Sequence, residues 1–187
     1  QTITFNPLSN KLATDLPFTL NGTTSSGLAL TYSSSDPTIA SISGNTVTIL
    51  SSGTVTITAS QLGNTNYNTA TEVSQELIIN KANQTITFNT LATKTTTDLP
   101  FALNGTASSA LALTYTSSNT AVATILGSTV TIVGAGTTII TATQAGNNKY
   151  NAASSVAQTL TVTTSLGQYQ FTSSLAVTSP NANLVYT

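Results

Sequence analysis

The sequence predicts an all-β chain of two tandem antiparallel β-sandwiches, and three observations predict it. Residues 1–83 laid over 84–166 without a gap give 47 identities, so one unit is written twice at an offset of 83 residues. Apolar and hydroxyl residues alternate with the period of two that a half-buried strand needs, most clearly in Gly53-Thr54-Val55-Thr56-Ile57-Thr58-Ala59 and its counterpart Gly136-Thr137-Thr138-Ile139-Ile140-Thr141-Ala142. Turn residues break such runs into about seven short strands per copy, and no window carries the helical period that the crossovers of a parallel sheet require.

Each unit opens with Gln1-Thr2-Ile3-Thr4-Phe5, repeated as Gln84-Thr85-Ile86-Thr87-Phe88, which puts Ile and Phe on one face. Asp15-Leu16-Pro17-Phe18 and Asp98-Leu99-Pro100-Phe101 follow, and because proline cannot donate to a ladder they are expected at an edge or at a strand's first residue. The runs Leu28-Ala29-Leu30-Thr31-Tyr32 and Leu111-Ala112-Leu113-Thr114-Tyr115 direct Leu, Leu and Tyr inward. Next come two hairpin signals, Gly44-Asn45 and Gly127-Ser128. With these as turns, Ile42 faces Val47 and Ala40 faces Ile49, and in the second copy Ile125 faces Val130 and Ala123 faces Ile132. Two separate stretches thus agree on one register, and a one-residue slip would turn every apolar group to water. A polar loop centred on Tyr67 or Tyr150 then leads to a closing strand through Val73, Leu77 and Ile79 or Val156, Leu160 and Val162. The expected core is Ile3, Phe5, Leu28, Leu30, Tyr32, Val47, Ile49, Val55 and Ile57, with the positions 83 residues on.

The copies are joined by Asn80-Lys81-Ala82-Asn83, too short and too poor in Gly to act as a free tether, so a restricted hinge is expected, with Tyr150 close to it. The boundaries fall at 1–82 and 83–164, and 165–187 begins a divergent third unit or another terminal module. Since Gln1 aligns with the repeat start Gln84, the chain is expected to be an interior piece of something longer, with any export signal outside it.

Charged residues are 5% of the chain and the formal net charge is −1, with four Lys and no Arg. Nucleic acid is thereby excluded as a main partner, because its affinity comes from clustered cations on phosphate. No apolar run reaches the length of a spanning helix, so this segment is not expected to insert into a membrane. Cys, His, Met and Trp are absent, which removes the commonest acid–base group and the softer metal ligands.

The carboxylates are Asp15, Asp36, Glu72, Glu76 and Asp98, and only Asp15 and Asp98 are equivalent between copies. Each precedes a Pro-Phe pair, where Asp caps a turn; calcium needs six to eight oxygens with several carboxylates among them. General acid–base catalysis needs a tuned pair, and the second copy holds one carboxylate, so no catalytic, cofactor or metal site is expected and the chain reads as a non-enzyme. Lys11 and Lys94 are expected in solvent near those aspartates. The Thr54-x-Thr56-x-Thr58 run reads as the water face of a twisted strand rather than a crystal-binding array, since Ile139 replaces Thr56 in the second copy. Tyr67 and Tyr150 fit loop pinning or a domain junction, with sugar stacking as the rival. Asn21, Asn83 and Asn104 each begin a glycosylation acceptor triplet, a pattern that arises readily in a chain rich in Asn and Thr.

The run Leu30-Thr31-Tyr32-Ser33-Ser34-Ser35-Asp36-Pro37-Thr38-Ile39-Ala40-Ser41-Ile42, then Gly44, Val47, Ile49 and Gly53 to Ala59, resembles the bacterial immunoglobulin-like repeats. The second copy carries the same spacing from Leu113 to Ile125 and from Gly136 to Ala142. The Gln-Thr-Ile-Thr-Phe opening and the Gly-Asn-x-x-Tyr-Asn ending are similar to a subgroup in giant secreted surface proteins of gliding and related bacteria. The resemblance implies tandem immunoglobulin-like sandwiches, end to end, forming a stalk or filament segment of an exported adhesin at the bacterial cell surface, of the kind moved in gliding. Implied partners are neighbouring repeats of the same chain, and a surface polysaccharide or cell-surface protein complex. The alternative is a polysaccharide- or partner-binding module that uses the loops around Tyr67 and Tyr150.

Overall fold

β8 (Gly53–Ser60) and β9 (Val73–Asn80) are the longest strands of the first copy, and the rest of that copy is laid against them. The structure is a computed structural model that describes residues 1–165, so the module expected from Ser165 onward lies, past that residue, outside the described residues. Val55, Ile57 and Ala59 of β8 and Leu77 and Ile79 of β9 are at most 2% exposed, while Thr54, Thr56 and Glu76 between them face water. The alternation read from the sequence is therefore the inside–outside pattern of the fold.

One layer has the order β2-β9-β8-β5, with β2 spanning Lys11–Leu12 and β5 spanning Thr31–Ser34. In the other, β1 (Ile3–Thr4) pairs with β4 (Thr23–Thr24), and β3 (Phe18–Thr19) pairs with β7 (Thr46–Ile49), which pairs with β6 (Ala40–Ser43). Because β3 and β4 are the two ends of one extended stretch, this layer reads β1, β4 with β3, β7, β6. That is the two-sheet arrangement of an immunoglobulin-like sandwich.

The second copy repeats the plan. Its strands are β10 (Ile86–Thr87), β11 (Lys94–Thr95), β12 (Phe101–Ala102), β13 (Thr106–Ala107) and β14 (Thr114–Ser117), then β15 (Ala123–Leu126), β16 (Thr129–Ile132), β17 (Gly136–Thr143) and β18 (Val156–Thr163). The chain is all-β, two β-sandwich domains in tandem.

Both hairpins take the expected register, Ala40↔Ile49 and Ile42↔Val47 in one copy and Ala123↔Ile132 and Ile125↔Val130 in the other. Gly44 and Gly127, at φ 60° and 61°, occupy the first turn position, where a side chain would be strained. Pro17 and Pro100 immediately precede β3 and β12, each at the edge of its three-stranded sheet. In the next loop Ala110 holds φ 60° where Gly27 holds 76°, so the second copy carries backbone strain there that the first avoids.

Three expectations need correction. Each copy has nine strands rather than seven, because the opening stretch is split into β1 and β2 and the Pro-Phe stretch into β3 and β4. The sandwich is not wholly antiparallel: β2 runs parallel to β9 through Lys11↔Ile79 and Leu12↔Asn80, and β11 runs parallel to β18. No crossover helix is needed, since the chain leaves one layer after β1 and joins the opposite layer at β2, with the whole domain between the paired strands in sequence. Leu28 and Leu111 are half-buried and stand outside the core clusters, because β5 and β14 begin only at Thr31 and Thr114.

The core draws on both layers. In the first copy Phe5, Leu20, Ala40, Val47 and Ile49 close over Val55, Ile57, Ala59, Leu77 and Ile79, and Ile3, Leu30 and Tyr32 pack partly buried against them. Phe5 meets Tyr32 with ring centroids 5.5 Å apart at 59°, and Phe88 meets Tyr115 at 5.5 Å and 60°. The Tyr32 hydroxyl accepts the Gly22 N–H at 2.8 Å. A Cβ on Gly22 would lie 2.6 Å from that oxygen, which explains the glycine. The counterpart of Val55 is Thr138, 2% exposed, whose hydroxyl accepts the Asn119 N–H at 3.0 Å and lies 2.8 Å from Ser117 Oγ. A hydroxyl thus replaces a methyl without leaving an unpaired buried group.

Burial of one such aliphatic side chain contributes roughly 1.5–3 kcal/mol. Ile140 is fully buried. Ile140→Asp is expected to abolish the second domain's calorimetric transition and leave the first domain's in place, because an unpaired buried carboxylate exceeds what a domain with a margin of about 5–15 kcal/mol tolerates. A scan retaining both transitions would contradict the packing described above.

Candidate functional site

The Gly-Asn-x-x-Tyr-Asn loops, not a catalytic cleft, gather the densest polar contacts in each copy. Gly63 and Gly146 turn the chain at φ 81° and 78°, and a Cβ there would lie 2.2 and 2.4 Å from the carbonyl oxygens of Tyr67 and Tyr150. Asn64 Oδ1 accepts the N–H groups of Asn66 at 2.8 Å and Tyr67 at 3.0 Å, and Asn64 N–H donates to Tyr67 C=O at 2.9 Å. Asn147 does the same for Lys149 at 2.8 Å and Tyr150 at 2.9 Å. The Asn side chain therefore stands in for a backbone turn.

Two glutamines tie this loop to the start of its domain. Gln61 Nε2 donates to Ala29 C=O at 2.9 Å while its Oε1 accepts the Gly63 N–H. Gln1 Nε2 donates to Asn68 C=O at 2.8 Å and its Oε1 accepts from Ser26. In the second copy Gln144 reaches Ala112 C=O at 2.8 Å and Gln84 reaches Asn151 C=O at 2.7 Å. The opening and the ending of the repeat are thus two halves of one hydrogen-bonded pole.

In the second copy this pole is covered by the first. Ala82 N–H donates to Lys149 C=O at 2.9 Å, and Ala82 C=O accepts the Asn151 N–H at 2.9 Å, a parallel bridge in register with Tyr150. Ser52 N–H, between β7 and β8, donates to Asn148 C=O at 3.0 Å, and Asn151 Nδ2 donates to Asn83 Oδ1 at 2.8 Å. Ala82 and Gln84 are buried, and Tyr150 is half-buried, whereas Tyr67 is 43% exposed. Tyr150 stands at the junction, as its place in the repeat suggests, and Tyr67 occupies the equivalent position of the first copy.

The aspartates cap turns. Asp15 Oδ2 accepts the Leu12 N–H at 3.0 Å; Asp98 Oδ2 accepts the Thr95 N–H at 3.2 Å and its Oδ1 accepts the Thr95 hydroxyl at 2.9 Å. Asp36 takes the hydroxyl of Thr38 at 2.6 Å and its N–H at 2.9 Å. The Thr95 hydroxyl, then its N–H, then Lys94 with Nζ 3.9 Å away, hold the Asp98 carboxyl below its ordinary range. The Thr38 hydroxyl and N–H do the same for Asp36. Lys11 and Lys94 do not simply extend into water: their ammonium groups stand 4.7 and 4.8 Å over the rings of Phe18 and Phe101. Nothing in the sequence marked that contact beyond a Lys and a Phe seven residues apart in both copies.

No protein-family model and no curated protein matches the chain by sequence. Among solved structures it is similar to Drosophila N-cadherin EC1-4, at 12% identity over 87% of this chain and 50% of that one, with a TM-score of 0.34. It is similar to the S-layer protein rSbsC(31-844) at 17% identity over 86% of this chain and 27% of that one, TM-score 0.36. It is similar to the insect immune protein hemolin at 12% identity over 87% and 46%, TM-score 0.37. The chain spans half the length of the cadherin fragment and less of the other two. At such scores the fold rests on the strand pairing itself.

A carboxyl whose folded-state pKa is depressed adds stability above its unfolded pKa, about 3.9, and loses it as pH falls through the folded value. The first domain's Asp36 and the second domain's Asp98 are of this kind, and since Asp98 is exposed and Asp36 only half-buried the effect is small. In thermal melts below about pH 4, Asp98→Asn is expected to flatten the acid-induced loss of the second domain and leave the slope of the first unchanged. An unchanged slope in the second domain would remove Asp98 from this role.

Proposed function

We propose that the chain is a non-catalytic spacer, a stalk segment of a large exported cell-surface adhesin whose work is to set the distance and angle between its ends. The observation that carries this reading is the junction. Ala82 uses both of its backbone groups, and Ser52 a third, to fix the second domain on the first. Linking two domains through main-chain bonds leaves little freedom for independent rotation, in contrast to a Gly- or Ser-rich tether. Capped turns account for the aspartates, and the polar loops bond to their own domain or to its neighbour.

The finer assignment, to the giant adhesins of gliding and related bacteria, rests on the likeness of the Gln-Thr-Ile-Thr-Phe and Gly-Asn-x-x-Tyr-Asn motifs. It places the segment outside the cell, at the bacterial surface or secreted. Neighbouring repeats are its partners in this reading, with a surface polysaccharide or protein complex engaged elsewhere on the assembly. The rival binding-module reading rests on the loop around Tyr67, whose backbone Asn64 caps.

Residual dipolar couplings test the spacer reading. Both domains are expected to share one alignment tensor, and Ala82→Pro, which removes the donor to Lys149 C=O, is expected to decouple them. Independent tensors in the unaltered chain would overturn the proposal. A glycan array separates the rival: a spacer gives no specific hits, whereas hits lost on Tyr67→Ala would establish the binding module.

A further inference from the structure

The ladder between β1 and β4 stops at Thr4↔Thr23. Ser25 N–H donates to Thr2 C=O at 3.0 Å, so by antiparallel alternation Thr23, Asn21 and Thr19 turn their backbone groups toward the β1 side. Leu20 faces the other way and donates to Asn45 C=O at 2.8 Å. Among the described residues no strand lies opposite Asn21 and Thr19, because the chain turns off after Phe5 toward β2 in the other layer. Gln75 Nε2 takes up the Phe5 carbonyl at 2.7 Å, and Pro7 could not have continued the donors of a ladder. Among the described residues no backbone bond outside the strand ladders reaches Thr19 or Asn21.

The result is a side cleft of about 590 Å³ between the crossover and the free edge, walled by Phe5, Leu8 and Phe18 with Lys11 and Asn21 at its rim. The second copy has the same cleft, about 270 Å³, walled by Phe88, Leu91 and Phe101 with Lys94 and Asn104. Its ladder stops at the equivalent pair, Thr87↔Thr106, and Gln158 takes the Phe88 carbonyl at 2.7 Å. A free strand edge offers a row of main-chain donors and acceptors, and the partly exposed Leu8 and Phe18 beside it give an added strand apolar contacts among the polar groups that also line the cleft.

The lysine decides what kind of strand fits. Its ammonium lies over the Phe18 ring, so the face a sugar would stack on is already taken. Two copies meeting edge to edge would add like charges, one Lys11 from each, to the same seam, which disfavours self-pairing. An acidic side chain on the incoming strand meets the opposite charge. We propose that each domain binds an acidic, extended segment of a partner protein by strand addition along 17–21 and 100–104. The first domain is the stronger site, since Lys94 already has Asp98 at 3.9 Å, whereas Lys11 has no carboxylate within salt-bridge distance among the described residues.

The test is an ¹⁵N NMR titration of the whole chain with the octapeptide Thr-Val-Glu-Val-Thr-Val-Glu-Thr and with its counterpart carrying Lys for Glu. The acidic peptide is expected to shift and protect the Thr19 and Asn21 amides, with the lysine peptide weaker by about fivefold. Lys11→Glu is expected to reverse that order while the amides of β8 and β9 stay in place. Three results would overturn the proposal: no movement of these amides with either peptide at millimolar concentration, equal binding of both peptides, or shifts confined to the loop around Tyr67. The comparison of the two peptides on the unaltered chain decides the matter even if Lys11→Glu fails to fold.

Discussion

Everything in each domain depends on the dry contact between the inner faces of two sheets, made where Ile57 and Leu77 of one sheet meet Val47 and Ile49 of the other and, in the second copy, where Ile140 and Leu160 meet Val130. A unit of about 80 residues has a high ratio of surface to volume, and this one has neither disulfides nor a dense charge network to supplement its core. Small side chains make the contact close: Ala40, Ala59, Ala123 and Ala142 are fully buried between the larger aliphatics. Hydroxyl residues on the outer faces keep the same strands wetted without opposing the β conformation.

With few charges available, amides and hydroxyls do the positioning that ion pairs do elsewhere. The Lys94–Asp98 contact at 3.9 Å is exposed, and such a pair is worth about 0–1 kcal/mol. Gln1, Gln61, Asn64, Gln75 and Tyr32, by contrast, each satisfy a backbone group of a segment that the sheets leave unpaired. These bonds cost no ionic desolvation and barely respond to salt.

The parts of this fold that were legible in the sequence are those fixed locally. Hairpin register follows from a glycine that alone tolerates its φ and from a period of two on either side, so Ile42↔Val47 could be read directly. The parallel pairing of β2 with β9 spans two residues, too few for any period, and joins positions 68 apart. The amide bonds of Gln1 to Asn68 and Gln75 to Phe5 span 67 and 70 residues and use residue types with no unique signature. The 83-residue offset places Thr138 in the core, but the bonds that satisfy its hydroxyl were not legible for a related reason. Its position predicts an aliphatic, and only the nearby Asn119 N–H and Ser117 hydroxyl make a buried Thr tolerable. The junction lies between these cases, since the repeat locates Tyr150 near it while the bonding atoms are backbone.

The two copies also separate what a motif does for its own domain from what it does between domains. Gln1 and Gln84 make the same bonds to Asn68 and Asn151, and Asn64 and Asn147 cap their loops alike, so these residues serve the fold of each unit. At the junction the pole is sealed around Gln84. A surface already organised by its own hydrogen bonds loses little conformational entropy when it is covered. Docking of one domain on the next is in that sense prepared within each unit, and the Ala82 bridge only has to select one orientation from a face that is already rigid.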